Sequence, residues 1–111
     1  MTKVDKPWGH YETLVTGPNY LVKRIIVKPN HRLSLQTHQL RSEHWVIVGG
    51  IGHVEINEAS YILNPNDAAY IPVGAKHRIA NYGMTDLSFI ETQVGQCMEE
   101  DIQRLEDDYH R

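Results

Sequence analysis

The sequence predicts an all-β fold, a sandwich or barrel of short strands, and three observations carry that prediction. Apolar residues recur with the two-residue period of half-buried strands, or gather in short β-branched runs. Turn-forming residues separate the runs, among them Pro29-Asn30, Gly49-Gly50, Asn57-Glu58, Pro65-Asn66-Asp67 and Tyr82-Gly83. The runs follow one another at intervals of roughly ten residues, the rhythm of antiparallel sandwiches and barrels.

In chain order the strand candidates are "NYLVKRIIVKP", "HWVIVGGIGHVEI", "ASYILNP", "AAYIPVG", "HRIANYG" and "LSFIETQVG". Each is rich in Val, Ile, Tyr or Phe, whose side chains pack well on a pleated surface. Trp8, Tyr11, Trp45, Tyr61 and Tyr70 read as core or interface aromatics, because a small barrel needs large residues to fill it. The tail "MEEDIQRLEDDYHR" reads differently: Met98, Ile102 and Leu105 recur at three- and four-residue spacing, which predicts a short C-terminal helix covering one end of the β-structure.

Composition narrows the class. A chain of 111 residues fits one compact domain, taken here as 1–111. Lys plus Arg number 11 against 14 Asp plus Glu, a formal charge of −3, so there is no basic block to bind nucleic acid. No run is long and apolar enough for a membrane helix, and "MTKVDKPWGHYE" lacks the apolar centre of a signal peptide. The single cysteine, Cys97, has no internal partner for a disulfide. A cytoplasmic protein is the expectation.

The chemistry gathers in "SLQTHQLRSEHW", Ser34 to Trp45. Gln36 and His38 fall on one face of a strand, Glu43 lies just beyond a short turn, and His77 follows the Pro72/Gly74 turn. An amide oxygen, two imidazoles and a carboxylate converging inside a barrel suit a divalent transition metal with positions open to water or substrate. Taken singly, each residue reads more readily as a solvated turn or surface group than as a ligand.

Spacing changes that weighting. "Q-x-H-x4-E-x6-G" from Gln36 to Gly50 and "P-x-G-x2-H-x3-N" from Pro72 to Asn81 resemble the paired motifs of the cupin superfamily, with Gln36 where cupins usually have His and Asn30 where they usually have Gly. The flanks narrow the resemblance. "KPWGHYETL", "VKRIIVKPNHRLSLQTH", "RSEHWVIVGG", "AAYIPVGAKHRIAN" and "IETQVGQCMEEDIQRLEDDYHR" resemble, nearly end to end, the type II phosphomannose isomerase cupin. In that family the module commonly forms the C-terminal part of a bifunctional mannose-6-phosphate isomerase and mannose-1-phosphate guanylyltransferase.

The resemblance implies a jelly-roll barrel, a double-stranded β-helix. It implies a stand-alone isomerase here, interconverting mannose 6-phosphate and fructose 6-phosphate through an enediol, with one divalent metal: zinc by preference, or manganese, cobalt, nickel or iron. The implied ligands are Gln36, His38, Glu43 and His77, and Gln36 is itself what this family shows. A homodimer is also implied, as is a sugar-phosphate substrate. One departure stands inside the motif: the chain reads "HQLR", with Leu40 where the family often has His.

Isomerisation needs a base near the migrating proton and a cation near the developing oxyanion. Arg41 resembles the family's catalytic arginine, and its planar guanidinium suits an enediolate or a phosphate. Glu91 is the candidate base, with Gln93 beside it on the same face. Lys23, Arg24 and Arg78 are candidate phosphate contacts, although Lys23 and Arg24 must face opposite ways and Arg78 alternates with His77. His44 alternates with Glu43 and is expected to point away. Two other readings remain open at this point: a non-catalytic sugar-phosphate or nucleotide-sugar binding cupin, and a cupin metalloenzyme with a different reaction.

Overall fold

The structure, a computed structural model, describes residues 2–110. Its strands are β1 (Lys3–Lys6), β2 (Gly9–Thr16), β3 (Tyr20–Val27), β4 (His31–Arg32), β5 (Leu35–Thr37), β6 (Arg41–Gly49), β7 (Gly52–Ile56), β8 (Ala59–Leu63), β9 (Ala68–Ile71), β10 (His77–Asn81), β11 (Leu87–Gly95) and β12 (Gln103–Glu106). One sheet runs β1-β2-β3-β11-β6-β9; the other runs β12-β5-β10-β7-β8, with β4 also paired to β10. Every pairing is antiparallel. The expected all-β architecture is what the chain adopts.

Strict alternation builds the interior. Along β6, Arg41, Glu43, Trp45 and Ile47 are buried while His44, Val46 and Val48 are exposed; along β11, Leu87, Phe89, Glu91 and Gln93 are buried. The core divides along the same strands. Val27, Ile47, Ile79, Leu87 and Phe89 are all 0% exposed and fill one part, each large side chain worth about 1.5–3 kcal/mol on burial. Toward the start of β6 and the end of β11 the inward residues become polar, and of these Arg41, Glu43 and Glu91 line the cavity described below.

The turns are set by residues that accept unusual backbone angles. Asn30 has φ 61°, a left-handed conformation that Asn tolerates better than most residues, which explains how it can replace the usual glycine there. Gly50, at φ 76°, turns the chain from β6 into β7 and so from one sheet to the other; a Cβ there would lie 2.6 Å from the Asp86 carbonyl oxygen. Asn81, the last residue of the second motif, serves the fold. Its Nδ2 donates to the Val27 and Thr85 carbonyls at 2.9 and 2.8 Å, and its Oδ1 accepts from Gly83 N at 2.9 Å.

The C-terminal helix is corrected: the described residues contain no helix, and the tail forms β12 against β5. The physical reason is the bare edge of β5, whose backbone groups need a partner. Too few residues remain for a helix to be stable by itself. The helical apolar spacing does not mark a buried stripe either, since Met98 and Leu105 are 41% and 42% exposed while Ile102 faces the cavity. No helix is long and apolar enough to cross a membrane.

Asn81→Ala is expected to destabilise the protein by about 2–3 kcal/mol, because it strands buried backbone groups. Equilibrium urea unfolding reads the change.

Candidate functional site

Four structural segments bring the site together. β5 carries Gln36, and His38 follows it directly; β6 carries Arg41, Glu43 and Trp45; β10 opens with His77; β11 carries Glu91. Gln36 and His77 are direct cross-strand partners in the β5–β10 pair. The two sequence motifs meet again through the backbone, where Gly74 N donates to the His38 carbonyl at 2.8 Å. Ligand-type atoms of His38, Glu43 and His77 lie within 4.8 Å of one another, and all three residues are buried.

The imidazoles are aimed. His38 Nδ1–H donates to the Asp101 carbonyl at 2.6 Å and His77 Nδ1–H to the Ala75 carbonyl at 2.9 Å. A carbonyl can only accept, so each ring presents an Nε2 lone pair to the cluster. His38 Nε2 is 3.3 Å from Glu43 Oε2, and His77 Nε2 is 3.8 Å from Glu43 Oε1. The His77 Nε2 is buried with no hydrogen-bond partner. Burial drives the His38 pKa down to about 4 and lowers that of His77 as well, so both rings are neutral near pH 7. Two neutral imidazoles fixed through Nδ1, a carboxylate between them and an orphaned Nε2 form a donor set that fits a divalent metal ion.

Glu43 gathers the other polar groups. Arg41 Nε donates to its Oε2 at 2.9 Å and Trp45 Nε1 to its Oε1 at 3.0 Å. Arg41 also reaches His38 Nε2 from Nη2, at 3.3 Å, and the Met98 carbonyl from Nη1, at 3.1 Å. Trp45 Nε1 is shared with Glu91 Oε1 at 3.3 Å, while Gln93 Nε2 donates to Glu91 Oε2 at 2.9 Å. Burial, and then the Glu43 carboxylate beside it, push the Glu91 pKa up to about 8. Near pH 7 Glu91 is therefore a neutral acid beside Glu43.

The cavity above this cluster is lined by Gln36, His38, Arg41, Glu43, Trp45 and Glu91 together with Trp8, Tyr11, Lys23 and Ile102, among others. The remaining sequence candidates lie elsewhere. Arg24 is corrected: it points to the opposite face of β3 and pairs with Glu12 at 2.7 Å. Arg78 is corrected too: it alternates with His77 and donates to the Leu33 carbonyl and to Glu106. Gln93 is 1% exposed and contacts Glu91 instead of lining the cavity. His44 is exposed and packs on Tyr70, as alternation requires.

Asp101 escaped the sequence reading. Its carbonyl holds His38, and its carboxylate accepts from Gln39 N and Leu40 N at 3.0 and 2.9 Å. Nothing in an apparently helical stretch signals that role. Trp45 was readable only as core, yet its two-residue offset from Glu43 on one strand already puts its N–H on the carboxylate side.

The mannose-6-phosphate isomerase C-terminal family profile matches residues 1–107. The chain belongs to this family. It is 44% identical to the alginate biosynthesis protein AlgA of Pseudomonas aeruginosa, over 98% of this chain and 23% of that protein. It is 46% identical to the mannose-1-phosphate guanylyltransferase ManC of Salmonella typhimurium, again over 98% of this chain and 23% of that protein. Among solved structures, the capsular polysaccharide assembling protein CapF of Staphylococcus aureus superposes with a TM-score of 0.86 at 22% identity, over 95% of this chain and 32% of that one. A cupin 2 domain-containing protein of Halorhodospira halophila gives 0.76 at 24% identity, over 85% and 67%. These likenesses establish the cupin fold.

The chain thus spans under a quarter of the length of AlgA and ManC. That overturns the expectation of a stand-alone isomerase, because in such relatives the matching stretch is one part of a larger protein and one of them is a guanylyltransferase. The short chain and its complete motifs had suggested independence, and neither bears on what the module works beside.

Glu91 gives a pH test on chelator-treated, metal-free protein. Its folded pKa, about 8, is above its ordinary 4.5, so it stabilises the fold fully below about 4.5 and loses that contribution as pH rises through 8. The melting temperature of Glu91→Gln, which cannot ionise, is expected to rise relative to the parent between pH 5 and pH 8 (a window of about 4.5 to 8). Parallel melting curves across that range would refute the raised pKa.

Proposed function

We propose that this chain is a metal-binding isomerase module for mannose 6-phosphate, working as part of, or together with, a mannose-1-phosphate guanylyltransferase. The observation that carries the reading is the aimed donor set: His38 and His77, each held through Nδ1, with ligand atoms close to the buried Glu43, next to a cavity that His38, Glu43 and Glu91 line. Family membership and the relative named as a guanylyltransferase support the substrate and the partner.

Gln36, His38, Glu43 and His77 would hold the ion, zinc by preference. When bound, the metal supplies Lewis-acid polarisation of the sugar carbonyl. The rest falls to side chains. Glu91 lines the cavity with a pKa near the working range, which suits moving a proton between adjacent carbons at a carboxyl oxygen. Arg41 lies between Glu43 and the cavity and brings a fixed positive charge to the oxygen that becomes anionic. Lys23, on the cavity wall and cross-strand from Glu91, is placed to hold the phosphate end of the sugar. Trp8 and Tyr11 give the cavity an aromatic side that excludes water.

Two measurements test this. In chelator competition, Glu43→Ala is expected to lose most zinc affinity, and Asp101→Ala, which keeps the carbonyl on His38 but frees the Gln39 and Leu40 amides of the adjoining turn, to lose about tenfold, the lower end for residues that orient ligands. Zinc affinity unchanged in Glu43→Ala would remove the metal site. With metal-replete protein and mannose 6-phosphate in deuterated water, with and without added guanylyltransferase, the expected outcome is fructose 6-phosphate, with solvent deuterium at C1 of that product and at C2 of the recovered mannose 6-phosphate. Glu91→Gln is expected to lower kcat by about 10²–10⁴, the span of general acid–base catalysis. No product and no exchange in either mixture would defeat the isomerase reading.

A further inference from the structure

The mouth of the cavity carries an arrangement that the reaction itself does not explain. Lys23 is 5% exposed, and its Nζ stands 4.1 Å above the Tyr11 ring centroid. Lys6 Nζ approaches the same ring at 5.9 Å. Arg104, on β12, is the direct cross-strand partner of Gln36, so its side chain falls on the cavity face and joins the lining. Three cations therefore line one cavity. Like charges brought together in this way are unfavourable unless an anion joins them.

The anion present is Glu99, whose carboxylate accepts from Lys23 Nζ at 2.6 Å. Its side chain is 63% exposed, while that of Lys23 is 7% exposed. Lys6 and Arg104 have no ion pair with any described residue. An exposed carboxylate is thus seated on a buried, pre-positioned ammonium, with Lys6 and Arg104 lining the same cavity outside any ion pair among the described residues. That is the layout of an oxyanion site occupied by an internal substitute.

We propose that Lys6, Lys23 and Arg104 form the subsite for a phosphoryl group, and that Glu99 occupies it in the absence of ligand and swings out when a phosphate enters. The proposal deepens the isomerase reading and rests on it for the sugar, but the anion subsite is testable without turnover. Charge balance agrees. The cavity wall carries Lys6, Lys23, Arg41 and Arg104 against Glu43, Glu91 and Glu99. An incoming anion offsets that surplus of basic groups. Glu99 then acts as a gatekeeper that raises the threshold for weak anions, since only a ligand able to contact all three cations repays its displacement.

The test is a titration of chelator-treated protein with inorganic phosphate by calorimetry at low salt. Glu99→Gln is expected to bind phosphate about twofold to fivefold more tightly, the worth of an exposed ion pair. The Lys6→Met/Arg104→Met double variant is expected to bind at least about tenfold more weakly, the scale of hydrogen bonds to charged groups. Phosphate affinity that is unchanged in both variants overturns the subsite, whatever the isomerase assay gives. The expected phosphate series alongside an absence of turnover with mannose 6-phosphate supports the subsite and removes the isomerase reading alone.

Discussion

The site depends on a carboxylate that the fold buries completely. Glu43 is 1% exposed, and an ionised carboxylate in that position is tolerable only if neighbours replace the water it has lost. Alternation along β6 supplies two of them, Arg41 and Trp45, at i−2 and i+2 on the same inward face. β11, paired to β6 in register, supplies Glu91 close by. Burial disfavours the charged form of Glu91 and the Glu43 carboxylate beside it disfavours it further, so Glu91 retains its proton. The acid-base asymmetry of the cavity is therefore a consequence of Glu43 and of strand geometry. It needs no further residue.

The same constraint explains the two histidines. Arg41 already balances the Glu43 charge, and the rings sit in surroundings that disfavour a second cation, so both stay neutral. Their Nδ1 atoms are committed to backbone carbonyls at Asp101 and Ala75. Those carbonyls belong to connections outside the regular strands, which is why the turn residues of both motifs matter as much as the ligands. Gly74 N binds the His38 carbonyl and the Ala75 carbonyl binds the His77 ring, so the turn Pro72 to Ala75 braces the backbone of one histidine and the imidazole of the other.

What could be read from the sequence followed period and spacing. The strands β3, β6, β7, β8, β9, β10 and β11 are all present where apolar alternation or β-branched runs mark them. β1, β4 and β12 escaped because "KVDK", "HR" and "QRLE" carry charge on both faces or are too short to show a period, and their pairing is dictated by neighbouring backbone edges. β2 escaped because a register shift between Thr13 and Val15 breaks its alternation. Among site residues, alternation correctly separated Lys23 from Arg24 and Glu43 from His44. It could not find Asp101, Glu99 or Arg104, since their roles arise only after the tail has paired with β5.

That tail ties fold to chemistry. Between Met98 and Arg104 the chain gives a carbonyl to Arg41, a carboxylate to Lys23, a carbonyl to His38, a carboxylate to the turn amides of Gln39 and Leu40, and one wall of the cavity. A helix capping the barrel would have offered few of these contacts, because its carbonyls are engaged within the helix. An extended segment leaves alternate backbone groups available on each side, so one stretch can close a sheet edge with some groups and brace the site with others. Removing the β5 edge pairing would therefore loosen His38 and Arg41 together. The orientation of His38 and the closure of the cavity are one structural event in this cupin, set by the tail that pairs with β5.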